Sequence, residues 1–343
     1  MGEMDVSVLI PTFGRAAKLG RCLERLARQT LARDRFEVLV GVDGTAGDDG
    51  DAAAHELAAR TAGSMRAVIY QFDHAGPGAT RNRLARHARG RLILMLNDDV
   101  LPEPELLEVH VLEHRRMERT GFVLGDSPWV KGCEGEDTLF DRLIRETSMV
   151  FFYDRMHERL ASGQVDRNHD WGFRHAWTLN LSVPRAAFDA CGGFDERLRF
   201  PCYEDLEFAY RVTEATGAPL RFAPEAVAHH DHRISPDDYL RREEMMGRAV
   251  AEFAAASPQC AMAVFGRDIR SREEVVYARQ FVAREGDAAG RLRETFRSWA
   301  KVPATAIGGE HGTALLRGLY EQHLLLKRWT WRKGLLAANE ASP

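Results

Sequence analysis

Short apolar runs alternate with amphipathic stretches over the first hundred residues. Val6–Ile10 is a compact apolar run closed by Pro11-Thr12, and it reads as a buried strand. Residues 16–29 carry Leu19, Cys22, Leu23 and Leu26 at helical spacing. Phe36–Val42 reads as a second strand ending in Asp43-Gly44, and Ala67–Phe72 as a third. Between them a Gly/Asp-rich loop leads into a helical pattern over Ala52–Ala62. Gly76-Pro77-Gly78 opens a helix over Ala79–Arg89, which stops at Gly90. Then comes the greasy run Arg91–Leu96, tipped by Asn97, Asp98 and Asp99. Strands apolar on both faces that alternate with helices predict a mostly parallel sheet covered by helices.

After Gly125 the pattern loosens. Residues 126–172 are polar with interspersed aromatics (Trp129, Phe140, Phe151, Phe152, Tyr153, Trp171), which predicts an inserted, mobile region beside a site. His175–Val183 reads as a strand, Leu206–Glu214 as a helix and Pro219–Ala228 as extended. From Ser235 the spacing is helical, through Tyr239, Met246, Val250 and Phe253 to Leu315, Leu319, Leu324 and Leu325. The expected organisation is a catalytic domain over 1–235 and a helical extension over 236–343.

Composition removes several function classes. The net charge is −4, so no global field attracts nucleic acid. The five cysteines are Cys22, Cys133, Cys191, Cys202 and Cys260, with no CxxC spacing, so neither a disulfide framework nor a zinc site is indicated. No signal peptide is visible, and no apolar run approaches the ~20 residues a bilayer span needs. A cytoplasmic location is the expectation. Leu324–Lys333 sets basic residues beside Trp329 and Trp331. That pattern suits an amphipathic helix packed on the domain or on a second copy of the chain, with peripheral contact at the inner membrane surface as the other reading.

The candidate chemistry gathers at strand tips. In a parallel sheet Pro11–Arg15, Asp43–Thr45, Gly76–Asn82 and Asn97–Asp99 all fall on one rim, where open α/β sheets bind ligands. Asp43 can accept a base N–H, and Arg81 can reach a phosphate. Adjacent acids at a strand end are costly unless a cation compensates, which suits Mg²⁺ or Mn²⁺ with a diphosphate. A polar turn starting a helix at Pro102 is the plain alternative. The glycine pattern is not GxGxxG, since its last position is Arg81, and no GxxxxGK[ST] occurs. Downstream, Glu204-Asp205 opens a helix, where one acid can complement the dipole and the other can serve as a general base. His229-His230-Asp231-His232 clusters imidazoles at a strand end.

Val6–Arg15, Glu37–Thr45, Gly76–Asn82, the Asn-Asp-Asp tip, Gly192–Glu196, Glu204-Asp205 and the histidines resemble, in order and spacing, family 2 glycosyltransferases of the GT-A fold. The resemblance covers roughly 5–232. It implies a Rossmann-like, mostly parallel sheet flanked by helices, here with a C-terminal helical appendage, and metal-assisted inverting transfer from a nucleotide-diphospho-sugar. On that resemblance Pro11, Thr12, Arg15 and Asp43 hold base and ribose, and Arg81 lies near the diphosphate. Asn97, Asp98 and Asp99 match the DxD motif, with Asp99 as the direct ligand of Mn²⁺ or Mg²⁺. Asp205, beside Glu204, matches the catalytic base, and His230 or His232 matches a histidine approaching the metal or diphosphate. The donor is UDP-, GDP- or dTDP-linked, and the acceptor is a saccharide, a lipid-linked or a small molecule. Two positions depart from the pattern: Val42 replaces the first acid of the usual Asp-Asp-Gly-Ser, and Asn97 the first DxD acid. A sugar nucleotidyltransferase is the first rival, although Pro11–Arg15 is a poor match for its Gly-rich basic loop. A non-catalytic nucleotide-sugar-binding protein is the second.

Overall fold

The apolar runs become strands because they bury both faces. In the computed structural model, which describes residues 4–44, 65–200 and 202–340, they form β1 (Val6–Thr12), β2 (Phe36–Asp43), β3 (Arg66–Phe72) and β4 (Leu92–Leu96). Every residue of β1, β2 and β4 is buried. Helices α1 (Ala16–Leu26) and α2 (Pro77–Ala85) connect the strands at the front of this series. The helix expected over Ala52–Ala62, and Thr45, lie outside the described residues.

The chain continues through β5 (Val100–Pro102), α3 (Leu106–Arg116), β6 (Phe122–Asp126), α4 (Leu139–Glu146), α5 (Tyr153–Ala161), β7 (Asn180–Pro184), α6 (Arg185–Ala190), α7 (Glu204–Thr216) and β8 (Leu220–His230). The described strands make one eight-stranded sheet in the order β3-β2-β1-β4-β7-β6-β8-β5. β1 lies parallel to β2 on one side and to β4 on the other, so their carboxyl ends share a rim. β7 enters antiparallel between β4 and β6, and β5 pairs antiparallel with the end of β8.

A helix beginning at Pro102 is not found. Pro102 ends the short strand β5, opposite Ala228, and the helix starts at Leu106. β5 is the last strand of the sheet, a position where a residue without an N–H is tolerated. The strand expected at His175 starts instead at Asn180, because residues 173–175 form a 3₁₀ turn. β8 runs on through His229 and His230, two residues past its expected end.

The chain divides into two units, Met1–Trp129 with Met156–Asp231, and Val130–Arg155 with His232–Pro343. Relative to a single division at 235, residues 130–155 group with the C-terminal helices. The polar stretch expected to be a mobile insertion contains α4, which a reciprocal cap opens: Thr138 Oγ1 accepts from Asp141 N–H, and Asp141 Oδ2 accepts from Thr138 N–H at 2.8 Å.

The second unit is helical, with α8 (Pro236–Ala256), α9 (Pro258–Phe265), α10 (Arg272–Trp299) and α11 (Gly309–Glu340) beside α4. Ser235 and Ser271 cap α8 and α10 through Asp238 N–H and Glu274 N–H. Two glycines set the crossing of α8 and α11. A Cβ on Gly247 would sit 1.9 Å from Trp331 O, and one on Gly334 would sit 2.0 Å from Glu244 O. Each helix thus presents backbone to the other's glycine. In the Leu324–Lys333 stretch, Leu326 is fully buried and the Trp329 indole N–H donates to Val282 O of α10 at 3.0 Å. This face of the amphipathic stretch is therefore packed on a neighbouring helix. Among the described residues no helix is long and apolar enough to cross a membrane.

The glycine crossing yields a test. Gly247→Ala should destabilise the protein by at least ~2 kcal/mol, because neither backbone can yield, although alanine is the better helix former. Gly286→Ala, whose Cβ meets nothing within 4 Å, should be neutral or mildly stabilising. Thermal melts of both variants check the contrast.

Candidate nucleotide-sugar site

The site lies wholly in the first unit, at the carboxyl ends of β1, β2 and β4. Asp98 follows β4 with no exposure to solvent. Thr12 Oγ1, at the end of β1, donates to its Oδ2 at 2.7 Å, and Arg15 Nη2 lies 2.7 Å from its Oδ1. Burial pushes the Asp98 carboxyl up to about 6 against the pull of Arg15. Asp98 is thus a buried tie between β1 and β4 rather than an open contact. Asp99, 3% exposed, takes the other end of the same guanidinium, with Arg15 Nη1 at 2.7 Å from its Oδ2.

The Asp99 backbone carbonyl accepts from Asp231 N–H at 2.7 Å, and Lys18 Nζ donates to Asp231 O. This latch sets β8 against the acid tip. His230 Nε2 then lies 3.7 Å from Asp99 Oδ1, with the His230 ring against Trp129, centroids 4.2 Å apart. His229 and His230 meet different partners. Successive strand residues face opposite ways, so His229 turns to Glu103 at 2.8 Å. His232 falls in the second unit.

Asp43 has a different first task from the one expected. Its oxygens accept from Ala75 N–H at 2.8 Å and Gly76 N–H at 2.9 Å, which fixes the turn into α2. Gly76 has φ +93°, and a Cβ there would meet Arg199 O at 2.5 Å, so the turn requires glycine. Pro11 is buried within β1, opposite Gly41. Two residues not singled out from the sequence stand at this end of the rim. Phe13, half exposed, and His74 face one another at 5.3 Å and line a cavity of about 690 Å³ with Gln71, Phe72 and Arg83. The readable signal was an aromatic inside the Pro-Thr-Phe-Gly turn, where a buried core residue has no reason to be.

Arg81 is the most consequential placement. It is 2% exposed, with Phe194 5.7 Å beneath its guanidinium. Nη2 donates to Asn97 Oδ1 at 3.1 Å, and Nη1 lies 3.9 Å from Glu204 Oε1. Nε and Nη1 have no hydrogen-bond partner among the described residues. Burial holds this guanidinium below its ordinary range, opposed by Glu204, Asp205 and Asp98 in that order. The acid tip and the Glu-Asp pair therefore converge on one buried cation. The Gly192–Glu196 segment supports it: Asn82 Oδ1 accepts from Phe194 N–H at 2.8 Å, and its Nδ2 donates to Phe194 O.

Glu204 and Asp205, in the first turn of α7, have unlike environments. Glu204 is buried, and burial followed by the charge of Asp205 raises its carboxyl to about 8. Asp205 is only half-buried and accepts from Leu206 N–H at 2.8 Å. At neutral pH Glu204 holds its proton, and Asp205 is the less buried of the two acids.

Among the described residues no three His, Cys, Asp or Glu side chains form a metal cage. The Asp99 carboxylate nevertheless suits Mn²⁺ or Mg²⁺ as a donor type, since such ions bind through few protein carboxylates plus substrate phosphates, and a nitrogen donor such as His230 beside it suits Mn²⁺ better than the harder Mg²⁺.

Comparison with known proteins places the chain in a family. The chain is 32% identical over 251 residues to validoxylamine A glucosyltransferase of Streptomyces hygroscopicus subsp. jinggangensis, covering 64% of this chain and 54% of that protein. It is 28% identical over 267 residues to the pre-mycofactocin glycosyltransferase of Mycobacterium tuberculosis, covering 74% and 48%. The chain thus spans about half the length of the curated relatives it matches. A mannosyltransferase from Pyrobaculum calidifontis, solved with GDP-mannose and Mn²⁺, superposes with a TM-score of 0.55 at 17% identity, covering 99% of this chain and 87% of that one, a likeness of the GT-A fold. The model named Glycosyl transferase family 2 matches residues 7–180 of 343, and the chain belongs to that family.

Proposed function

We propose that the chain is an inverting glycosyltransferase that moves a sugar from a nucleotide-diphospho-sugar to an acceptor hydroxyl. The observation that carries this is the buried, under-neutralised Arg81 between the acid tip and Glu204-Asp205. A cation with spare donors in a dry site favours an anion such as a diphosphate. On this reading the cavity beside Phe13 and His74 receives the base, and Asp43 shapes its wall by holding the turn at Ala75-Gly76. Thr12, Arg15 and Asn97 edge the ribose and diphosphate. Asp99 and His230 would hold Mn²⁺ or Mg²⁺, which supplies charge neutralisation to the leaving diphosphate.

Asp205 takes the proton of the acceptor hydroxyl. The acceptor oxygen bonds to the anomeric carbon as that carbon's bond to the diphosphate oxygen breaks, and the electron pair leaves with the nucleotide. One displacement inverts the centre. Glu204 keeps its proton and spares the site a second negative charge beside Asp205.

A thermal-shift panel of UDP-, GDP- and dTDP-sugars, with and without Mn²⁺, tests the donor class. One nucleotide series should raise the melting midpoint, more so with the metal, and release nucleotide when an acceptor is present. A flat panel would refute nucleotide-sugar binding.

Asp205→Asn should lower transfer at least ~100-fold, the scale of a lost general base, while nucleotide-sugar affinity stays within about two-fold. Retention of turnover would refute the base assignment.

Glu204 supplies a pH test. Its folded-state carboxyl is raised to about 8, so the folded chain binds that proton more tightly than the unfolded chain does. The stability it contributes is complete below the ordinary glutamate range and is lost as pH rises through about 8. The urea midpoint of the native chain should therefore fall toward alkaline pH more steeply than that of Glu204→Gln, whose amide does not titrate. Parallel pH profiles would contradict this placement.

A further inference from the structure

The helical unit carries a cavity of about 400 Å³ walled by α8, α10 and α11. Its lining sets Arg241, Arg293, Arg297 and Lys333 against the acids Asp237 and Glu244. Ion pairs neutralise both acids. Asp237 accepts from Arg297 Nη2 at 2.8 Å, and Glu244 accepts from Arg248 at 2.9 Å. Arg241 is engaged by Asp238, outside the lining.

What remains is positive. Arg293 and Lys333 have no carboxylate partner among the described residues. Both lie over the Trp329 ring, the guanidinium at 5.6 Å and the ammonium at 5.1 Å from its centroid. The ring thus gives each cation an aromatic face in place of a carboxylate. Beside them the Thr330 hydroxyl, on a residue 3% exposed, has no hydrogen-bond partner among the described residues, and neither does the buried Arg293 Nε.

We propose that this groove binds a phosphate-bearing anion through Arg293, Lys333 and Thr330. A planar guanidinium fork, a point-charge ammonium and a hydroxyl donor are the groups that recognise phosphate oxygens. A lone water would satisfy Thr330 and leave both cations uncompensated, whereas an anion in the groove would supply the negative charge that its lining lacks. The volume leaves room for a substituent on the phosphate. Every group belongs to the helical unit, so this proposal goes beyond glycosyl transfer, and neither reading falls with the other.

The test uses the full chain labelled with 5-fluorotryptophan, with the Trp329 resonance identified by Trp329→Phe. Titration with inorganic phosphate at constant ionic strength should shift that resonance saturably, and chloride should not. Arg293→Gln with Lys333→Gln should weaken binding by at least ~10-fold, the scale of one lost charge-assisted hydrogen bond. Lys333→Gln alone, on a half-exposed side chain, should weaken it measurably while the thermal midpoint stays close to that of the native chain. An unmoved Trp329 signal, an equal response to chloride, or an unchanged affinity in Lys333→Gln would overturn the proposal. Glucose 1-phosphate and phosphatidic acid vesicles, the latter against phosphatidylcholine vesicles, separate the sources. A response to glucose 1-phosphate marks a soluble ligand. A response to phosphatidic acid that is lost in the double variant marks a lipid headgroup. A response to neither overturns the site as one for a substituted phosphate.

Discussion

The buried carboxylate of Asp98 is the tie on which the rest of the rim depends. It is taken fully out of water, at a cost of several kcal/mol for an ion, and Thr12 and Arg15 offset that cost from the end of β1. Because one guanidinium reaches both Asp98 and Asp99, the two neighbouring acids are held in one geometry instead of repelling each other apart. A lysine, with one point charge, could not bridge them in the same way. The position of Asp99 then fixes Asp231 through the backbone and His230 through the end of β8. Two parallel strands and one distant strand end are thereby brought to a common point.

Arg81 shows the opposite economy. A buried cation ordinarily requires a close carboxylate, yet the Glu204 carboxyl lies 3.9 Å away and prefers its proton. The neutral Asn97 faces Nη2 where the family pattern has an acid. The loss of that acid therefore falls on the Arg81 side of the tip, while Asp99 stands between Arg15 and His230. An aspartate at 97 would neutralise Arg81 before any ligand arrived. An asparagine supplies the hydrogen bond and leaves the charge for an anion.

Much of the first unit was legible because burial on both faces writes itself as uninterrupted apolar runs. Val6–Ile10, Phe36–Val42 and Leu92–Leu96 could be read as central parallel strands for that reason. The rim followed, since chain direction puts all their tips together. The plain alternative of a helix starting at Pro102 stayed open because proline favours helix starts and edge strands alike, and only the pairing with Ala228 separates the two. Within the histidine run, the alternation of a strand, which a linear sequence does not display, sends His229 to Glu103 and His230 toward Asp99. Phe13 and Asp43 were in view, but their roles depend on His74, Ala75 and Gly76, some thirty residues away. The grouping of 130–155 with the distal helices depends on contacts such as Arg233 with Asp141, which no local pattern announces.

In the helical unit the glycines at 247 and 334 read as weak points of long helices, and they are the reason those helices meet. Backbone contact at that crossing fixes how α11 turns its remaining side chains. Trp329 and Lys333, four residues apart, then share a face with Thr330, and that face meets Arg293 and Arg297 of α10, themselves four apart. A helix pair held by large apolar side chains would stand farther apart and would place Thr330 less strictly. Polar convergence in this unit is therefore a consequence of the glycine crossing, and a change at either glycine should disturb the groove before it unwinds a helix.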